Sequence, residues 1–170
     1  VVAVNCSLRL CPWADVLYAH DRRWWAQHRR EFRDFAGMRA SPLASAVRLE
    51  PRVRQLRCDM NATGFVMGRP GTIAWLGNSG AQAVNLALML GARRVVLVGF
   101  DMHLGGGEHW HGPHSTLPNP TAGKLAEWAA MLDAAAPTAG GAEIVNACPG
   151  SALRSYPKME WREAVEWLIC

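Results

Sequence analysis

The chain of 170 residues lacks any apolar run near the roughly 18 residues that a membrane helix requires. Its longest apolar stretches are interrupted by Gly, Arg or Asn, so no spanning helix is expected. There is no charged-then-apolar leader with a small-residue cleavage site, and a cytoplasmic protein is expected, in a host cell if phage-encoded. No C-x-x-C pair is present; Cys6, Cys11, Cys58, Cys148 and Cys170 are odd in number and irregularly spaced, which suits free thiols rather than a disulfide framework. Cys6, Cys58 and Cys148 are expected as packing residues. Two dinucleotide and phosphate signatures, G-x-x-x-x-G-K-[ST] and G-x-G-x-x-G, are missing, as are the named DNA- and RNA-binding patterns. Lysine is scarce too: of 18 basic residues, 16 are Arg.

Half of the residues are hydrophobic and 19% are charged, which excludes a disordered chain and suits one globular domain over residues 1–170. The net charge of +4 is unevenly placed: residues 22–57 hold ten Arg against Glu31, Asp34 and Glu50. Guanidinium groups fork onto phosphate or carboxylate, so this stripe fits either a phosphorylated ligand or a solvated helix face. Without a recognisable reading module, nucleic acid is not the expected partner.

Hydrophobic patterning suggests strands at Val1–Asn5, Asp15–Ala19, Thr72–Leu76, Arg94–Gly99 and Glu143–Asn146. Helices are expected from Asp21 to about Phe35, from Ala81 to Leu90, from Thr121 to about Ala136 and from about Met159 to Leu168. Residues 38–72 are broken by Pro and Gly; Ala46–Glu50 and Val53–Cys58 are candidate strands, and the stretch suits a small insertion or lid. Apolar strands alternating with helices indicate a Rossmann-like, doubly wound, mostly parallel α/β sheet with helices on both faces.

Open parallel sheets bind ligands beyond the carboxyl ends of their strands. Asn5, His20-Asp21, Asn78-Ser79, Asp101, His103 and Asn146 all follow expected strands. The turn Gly77-Asn78-Ser79-Gly80 opens a helix, where small residues and free N–H groups suit an anion, although Asn78 or Ser79 also suits a simple N-cap. Asp101 fits a ribose hydroxyl, Mg²⁺ or a turn cap. His109, Trp110, His111 and His114 lie in a Gly-rich loop, where a general base, a stacking ring or a metal site are all open readings. The spacing is not that of H-E-x-x-H. Arg22 and Arg23 start a helix beside the second strand's end and suit phosphate charge.

The series VVAVN, PWADVLYAHDRRWW, GNSGAQAVNLALMLGARRVVLVGFDM and GGGEHWHGPH resembles the 6-hydroxymethylpterin diphosphokinase-like family, and looks more like its phage and prophage members than its archaeal enzymes. It is also distantly similar to bacterial sialyltransferases that use CMP-sialic acid. The likeness covers most of residues 1–25 and 72–120, with an echo at 146–153. It implies that Asn5 contacts the nucleotide, that Gly77, Asn78, Ser79 and Gly80 form a second nucleotide-side loop, and that Asp101 is the acid after the core strand. A catalytic His would be sought where His109 and His111 lie. Family members carry an earlier strand and a G-x-G-P-S loop, so the expectation is a truncated chain or a reduced donor site. The implied function is transfer of a diphosphoryl or glycosyl group from ATP or a CMP-linked sugar to a small hydroxyl-bearing acceptor that Asp21, Arg22, Arg23, Trp110 and His114 help bind. Mg²⁺ is expected for the diphosphoryl case and is dispensable for the glycosyl case. A homo-oligomer is compatible with the sequence. The alternatives are a non-catalytic phage accessory protein that keeps the fold, and a metal-dependent hydrolase built on His109, His111 and His114.

Overall fold

A computed structural model describes residues 1–105, 112 and 119–170 of the chain. Strands β1 (Val2–Val4), β2 (Val16–Tyr18), β3 (Met38–Ser41) and β4 (Val53–Gln55) lie side by side in that order, every pair parallel. Beyond Leu56 the same extended segment continues as β5 (Arg57–Asp59), which pairs in parallel with β6 (Thr72–Ala74). Alternate amides of this segment serve the two neighbours: the Leu56 N–H donates to Ser41 and the Arg57 N–H to Gly71. A further parallel pair joins β7 (Arg94–Leu97) to β8 (Glu143–Asn146). The protein is thus an α/β structure with parallel strands. Residues 38–59, within the stretch that suggested an insertion or lid, supply β3, β4 and β5.

Side chains alternate between two covered faces, as the pleat requires. Ala3, Leu17, Ala19 and Val53 pack with Trp24, Trp25, Phe32 and Ala46 on one face. Val16, Tyr18, Ala40, Leu56 and Ile73 pack with Ala83 and Leu86 on the other. Apart from Phe32, which follows the first of them, these partners come from α1 (Arg22–Gln27), α2 (Ala44–Leu49) and α3 (Ser79–Met89). The opposite side of α3 offers Ala81, Val84 and Leu88 to a third cluster with Leu97, Ile144 and, from α4 (Ala122–Ala135), Ala129 and Leu132. Helix α3 is apolar on most sides because it is buried between layers. The last helix, α5, spans Trp161–Ile169.

Two elements differ from the sequence-based expectation. Helix α1 stops at Gln27 rather than near Phe35, yet Phe32 and Phe35 are still buried, at 1% and 6% exposure. Carbonyls of the irregular segment that follows are collected by one buried guanidinium: Arg39 Nη2 donates to Phe32 O at 2.7 Å and Phe35 O at 2.6 Å. Residues 46–50, a candidate strand, lie mostly in α2, whose Ala46 is buried with Val47 and Leu49 packed against the same cluster as α1. A short apolar run looks the same by composition in either state, and the packing against α1 decides it.

Asn85, buried in the middle of α3, closes the outer edge of β6. Its Oδ1 accepts from Ala74 N–H at 2.7 Å and Val66 N–H at 2.9 Å, and its Nδ2 donates to Val66 O at 3.0 Å. One side chain stands in for a neighbouring strand.

Candidate functional site

The end of β6 turns sharply into α3. Leu76 and Gly77 both adopt left-handed backbone, φ 38° and 77°, and the Asn78 N–H bonds back to Leu76 O. Gly77 is required here: a Cβ would lie 2.8 Å from Trp128 Cδ1 and 2.9 Å from Met131 Sδ. Asn78 caps α3, its Oδ1 accepting from the Ala81 N–H at 3.0 Å. The N–H groups of Ser79 and Gly80 open the helix, and first-turn N–H groups have no intrahelical partner. Two other residues with left-handed backbone that are not glycine, Asn5 (φ 51°) and Met102 (φ 57°), follow β1 and β7. Such conformations cost on the order of 1–3 kcal/mol each and gather at binding and catalytic sites.

Buried polar atoms without a hydrogen-bond partner, among the described residues, are Asn5 Oδ1, Asn78 Nδ2, Trp128 Nε1 and Arg39 Nε. Asn78 and Trp128 belong to the Gly77–Gly80 turn and the ring packed on it, and both atoms are donors. Asn5 sits at the end of β1, which pairs with β2 in register Val4 to Tyr18. Burying a donor without an acceptor is costly, so a turn with two of them is suited to a group rich in acceptor oxygens.

The end of β2 reaches the same turn. His20 N–H donates to Ser79 Oγ at 3.3 Å. Gln82, fully buried on α3, donates from Nε2 to Trp75 O at 3.1 Å, which fixes its amide and leaves Oε1 as acceptor. That oxygen takes the Tyr18 hydroxyl at 2.8 Å and His20 Nδ1 at 2.8 Å. The edge of one ring faces the other between His20 and Trp75, with centroids 5.0 Å apart. Burial lowers the His20 pKa from its ordinary value, against a smaller raising effect of the Gln82 bond and of Asp21. Burial likewise pushes the Tyr18 hydroxyl up. The imidazole is therefore neutral at pH 7 with its proton on Nδ1.

The ends of β7 and β8 complete this edge. The Phe100 ring packs on Gly80, with Cζ 3.1 Å from where a Cβ would stand. Ser151 Oγ and, at 3.5 Å, Asn146 Nδ2 donate to Phe100 O. Asp101, next in the chain, is exposed, and its carbonyl accepts from Ala152 N–H. His103 Nε2 lies 3.1 Å from Gly150 O.

Asn5, Gly77, Asn78, Ser79, Gly80 and Asp101 thus all follow strands at their carboxyl ends. Asp21 is instead occupied as the cap of α1, accepting from the Arg23 and Trp24 N–H groups at 2.6 and 3.3 Å. Arg22 and Arg23 are exposed on the first turn of that helix. His109, Trp110, His111 and His114 lie outside the described residues. The pattern of strand-end residues pointed to His20 but gave no reason to single it out; Gln82 and Tyr18 went unnoticed. The available signal was Gln82 and Asn85, two amides three apart on an otherwise apolar helix, because buried amides are placed there to bond something.

Three of the ten arginines in residues 22–57 are used internally. Arg39 clamps carbonyls, Arg52 pairs with Glu50, and Arg29 donates to Leu49 O. The five cysteines are free, with Cys6 buried and Cys58 and Cys148 half-buried. Cys6, His28 and Glu31 follow the order of nucleophile, base and orienting acid: Cys6 Sγ is 4.0 Å from His28 Nε2, whose Nδ1 is 2.8 Å from Glu31 Oε1. Cys6 is only 3% exposed and takes the Trp24 indole N–H at 3.4 Å, so the row packs the core and offers no accessible thiol. A cleft of about 460 Å³ nearby is lined by Leu8, Arg9, Pro12, Glu31, Asp34 and Phe35, away from the strand ends. Among the described residues no three His, Cys, Asp or Glu gather as a metal cage, and no helix is long and apolar enough to cross a membrane. Asp101 is the one expected Mg²⁺ contact among them.

Compared with protein-family models, curated proteins and solved structures, the chain matches none.

Proposed function

We propose that the protein is a nucleotide-dependent transferase that moves a diphosphoryl or glycosyl group from a nucleotide donor to a small hydroxyl-bearing acceptor. The observation that carries this reading is the Gly77–Gly80 turn, where two buried donors without partners, Asn78 Nδ2 and Trp128 Nε1, stand beside the N-terminus of α3. Phosphate oxygens are the acceptors that such a set of N–H groups suits best. On this reading Ser79 and Gly80 hold the donor phosphate, Asn5 contacts base or ribose, and Asp101 contacts ribose. The acceptor proton passes to the loop of His109 and His111. Helices on both faces of the parallel strands support a Rossmann-like, doubly wound arrangement, and the protein would work in the cytoplasm. The described residues form no metal cage of their own, and no step here runs through Mg²⁺.

Thermal unfolding with CMP, CDP, ATP and GTP, with and without Mg²⁺, tests the reading. A ligand at 100 times its Kd adds about 2.7 kcal/mol, which raises Tm by about 5–10 °C in a chain of this size. Ser79→Ala should reduce that shift. If no nucleotide at millimolar concentration moves Tm, the transferase reading fails and a non-catalytic accessory role takes its place.

A further inference from the structure

His20 is held in one tautomer by a chain of fixed hydrogen bonds. The Trp75 carbonyl orients the Gln82 amide, and Gln82 Oε1 then accepts the Nδ1 proton of His20, leaving Nε2 as a lone-pair acceptor. No partner for Nε2 is found among the described residues. The backbone N–H of the same residue reaches Ser79 Oγ, which ties His20 to the first residue of α3, while its ring lies against Gln82 and Trp75. Because Ser79 Oγ accepts that bond, its own proton is free to be donated. The acceptor Nε2 and the Ser79 hydroxyl thus belong to two residues joined by a hydrogen bond at the start of α3. Ionised phosphate oxygens have no proton to give a lone pair, whereas a sugar or alcohol hydroxyl can both donate and accept.

We infer that His20 Nε2 is a hydroxyl-recognition point of this pocket, selecting ligands that present an O–H beside the bound phosphate. The inference rests on the nucleotide reading above. The hydroxyl comes either from the ribose of the nucleotide or from the acceptor. The titratable groups around the imidazole are Asp21, next in the chain, the Tyr18 hydroxyl on β2, and Cys58 on β5 beside Tyr18. Neither Tyr18 nor Cys58 ionises below pH 8, because burial raises both. His20 is thus the group here that gains a charge on acidification, and burial moves that gain below the ordinary imidazole range. Protonation turns Nε2 from acceptor to donor, so a hydroxyl contact weakens on acidification whereas a phosphate contact strengthens.

The test is calorimetric titration of the full chain with CMP, dCMP and inorganic phosphate at pH 8 and pH 5, in wild type and His20→Phe. Nucleotide phosphate titrates near pH 6, so the His20 part is the difference between the two proteins. One neutral hydrogen bond corresponds to about a two- to tenfold change in affinity. His20→Phe should lose that factor for CMP at pH 8 and leave phosphate affinity unchanged. His20→Gln, which keeps an acceptor oxygen, should recover part of the loss, and this separates lost recognition from a damaged fold. A dCMP affinity below that of CMP in wild type alone assigns the hydroxyl to the ribose. Equal dCMP and CMP affinities, both dependent on His20, assign it to another hydroxyl of the ligand. CMP binding to His20→Phe with wild-type affinity and pH profile overturns the inference and leaves the nucleotide reading standing, as does phosphate binding that strengthens at pH 5 in wild type only. Failure of wild type to bind any probe overturns the nucleotide reading itself.

Discussion

Replacing Asn85 by Leu probes how the exposed edge of β6 is closed. The two side chains are close in size, so the change removes hydrogen bonds without opening a large cavity. Two buried backbone N–H groups, of Val66 and Ala74, lose their acceptor, and Val66 O loses its donor. Each unsatisfied buried donor costs about 1–3 kcal/mol, and the extra apolar burial returns about 1 kcal/mol. The expected loss is about 1–5 kcal/mol, a large share of the 5–15 kcal/mol typical of a folded domain. Urea unfolding should show the midpoint falling with an unchanged slope. Amide exchange at Val66 and Ala74 should quicken more than at Leu17 in the centre of β2. A loss below about 1 kcal/mol with both amides as protected as before would refute the idea that one side chain replaces a strand.

Two further perturbations address the turn and the charge pattern. Gly77→Ala must fit a Cβ against Trp128 and Met131 at φ 77°, and should cost about 2 kcal/mol in urea unfolding; a change within about 0.5 kcal/mol would show that the turn relaxes freely. The Arg9 guanidinium forks onto Glu31 at 2.7 and 2.9 Å and is the main cause that holds its carboxyl down at about 2, helped by His28. Since the folded value lies below the ordinary 4.5, this contribution is complete above about pH 4.5 and fades as pH falls toward 2. Wild type should therefore exceed Glu31→Gln in stability most at pH 7 and least near pH 2. An equal gap at both ends sinks the assignment.

Strand positions were largely legible. The runs at Val2–Val4 and Val16–Tyr18, and the apolar centres of Arg94–Leu97 and Glu143–Asn146, announce the strands, because buried parallel strands need both faces apolar. The helix after Gly80 was legible as well, although its first residue is Ser79. The end of α1 was not. Trp24, Phe32 and Phe35 keep helical spacing, but the helix breaks after Gln27, and Arg39 on the neighbouring β3 binds the Phe32 and Phe35 carbonyls of the irregular segment that follows. The arginine stripe likewise shows charge in the sequence, but not which carbonyls or carboxylates are brought beside Arg29, Arg39 and Arg52. The Gly77–Gly80 turn was visible as a motif, while the link from His20 through Gln82 to Tyr18 joins residues more than sixty positions apart.

The sequence by itself determined that the chain is globular, that its strands are parallel and helix-connected, and that polar residues follow the strands. These properties are local, written in periodicity and composition. The tertiary structure alone decided which polar atoms are bonded and which are left over. It spent Asp21 on a helix cap and Arg39 on carbonyls of the segment after α1, fixed the His20 tautomer, and left Asn78 Nδ2 and Trp128 Nε1 without partners beside one turn. Hydrogen bonding is short-ranged and directional, so its outcome depends on contacts between distant segments that no window of sequence contains.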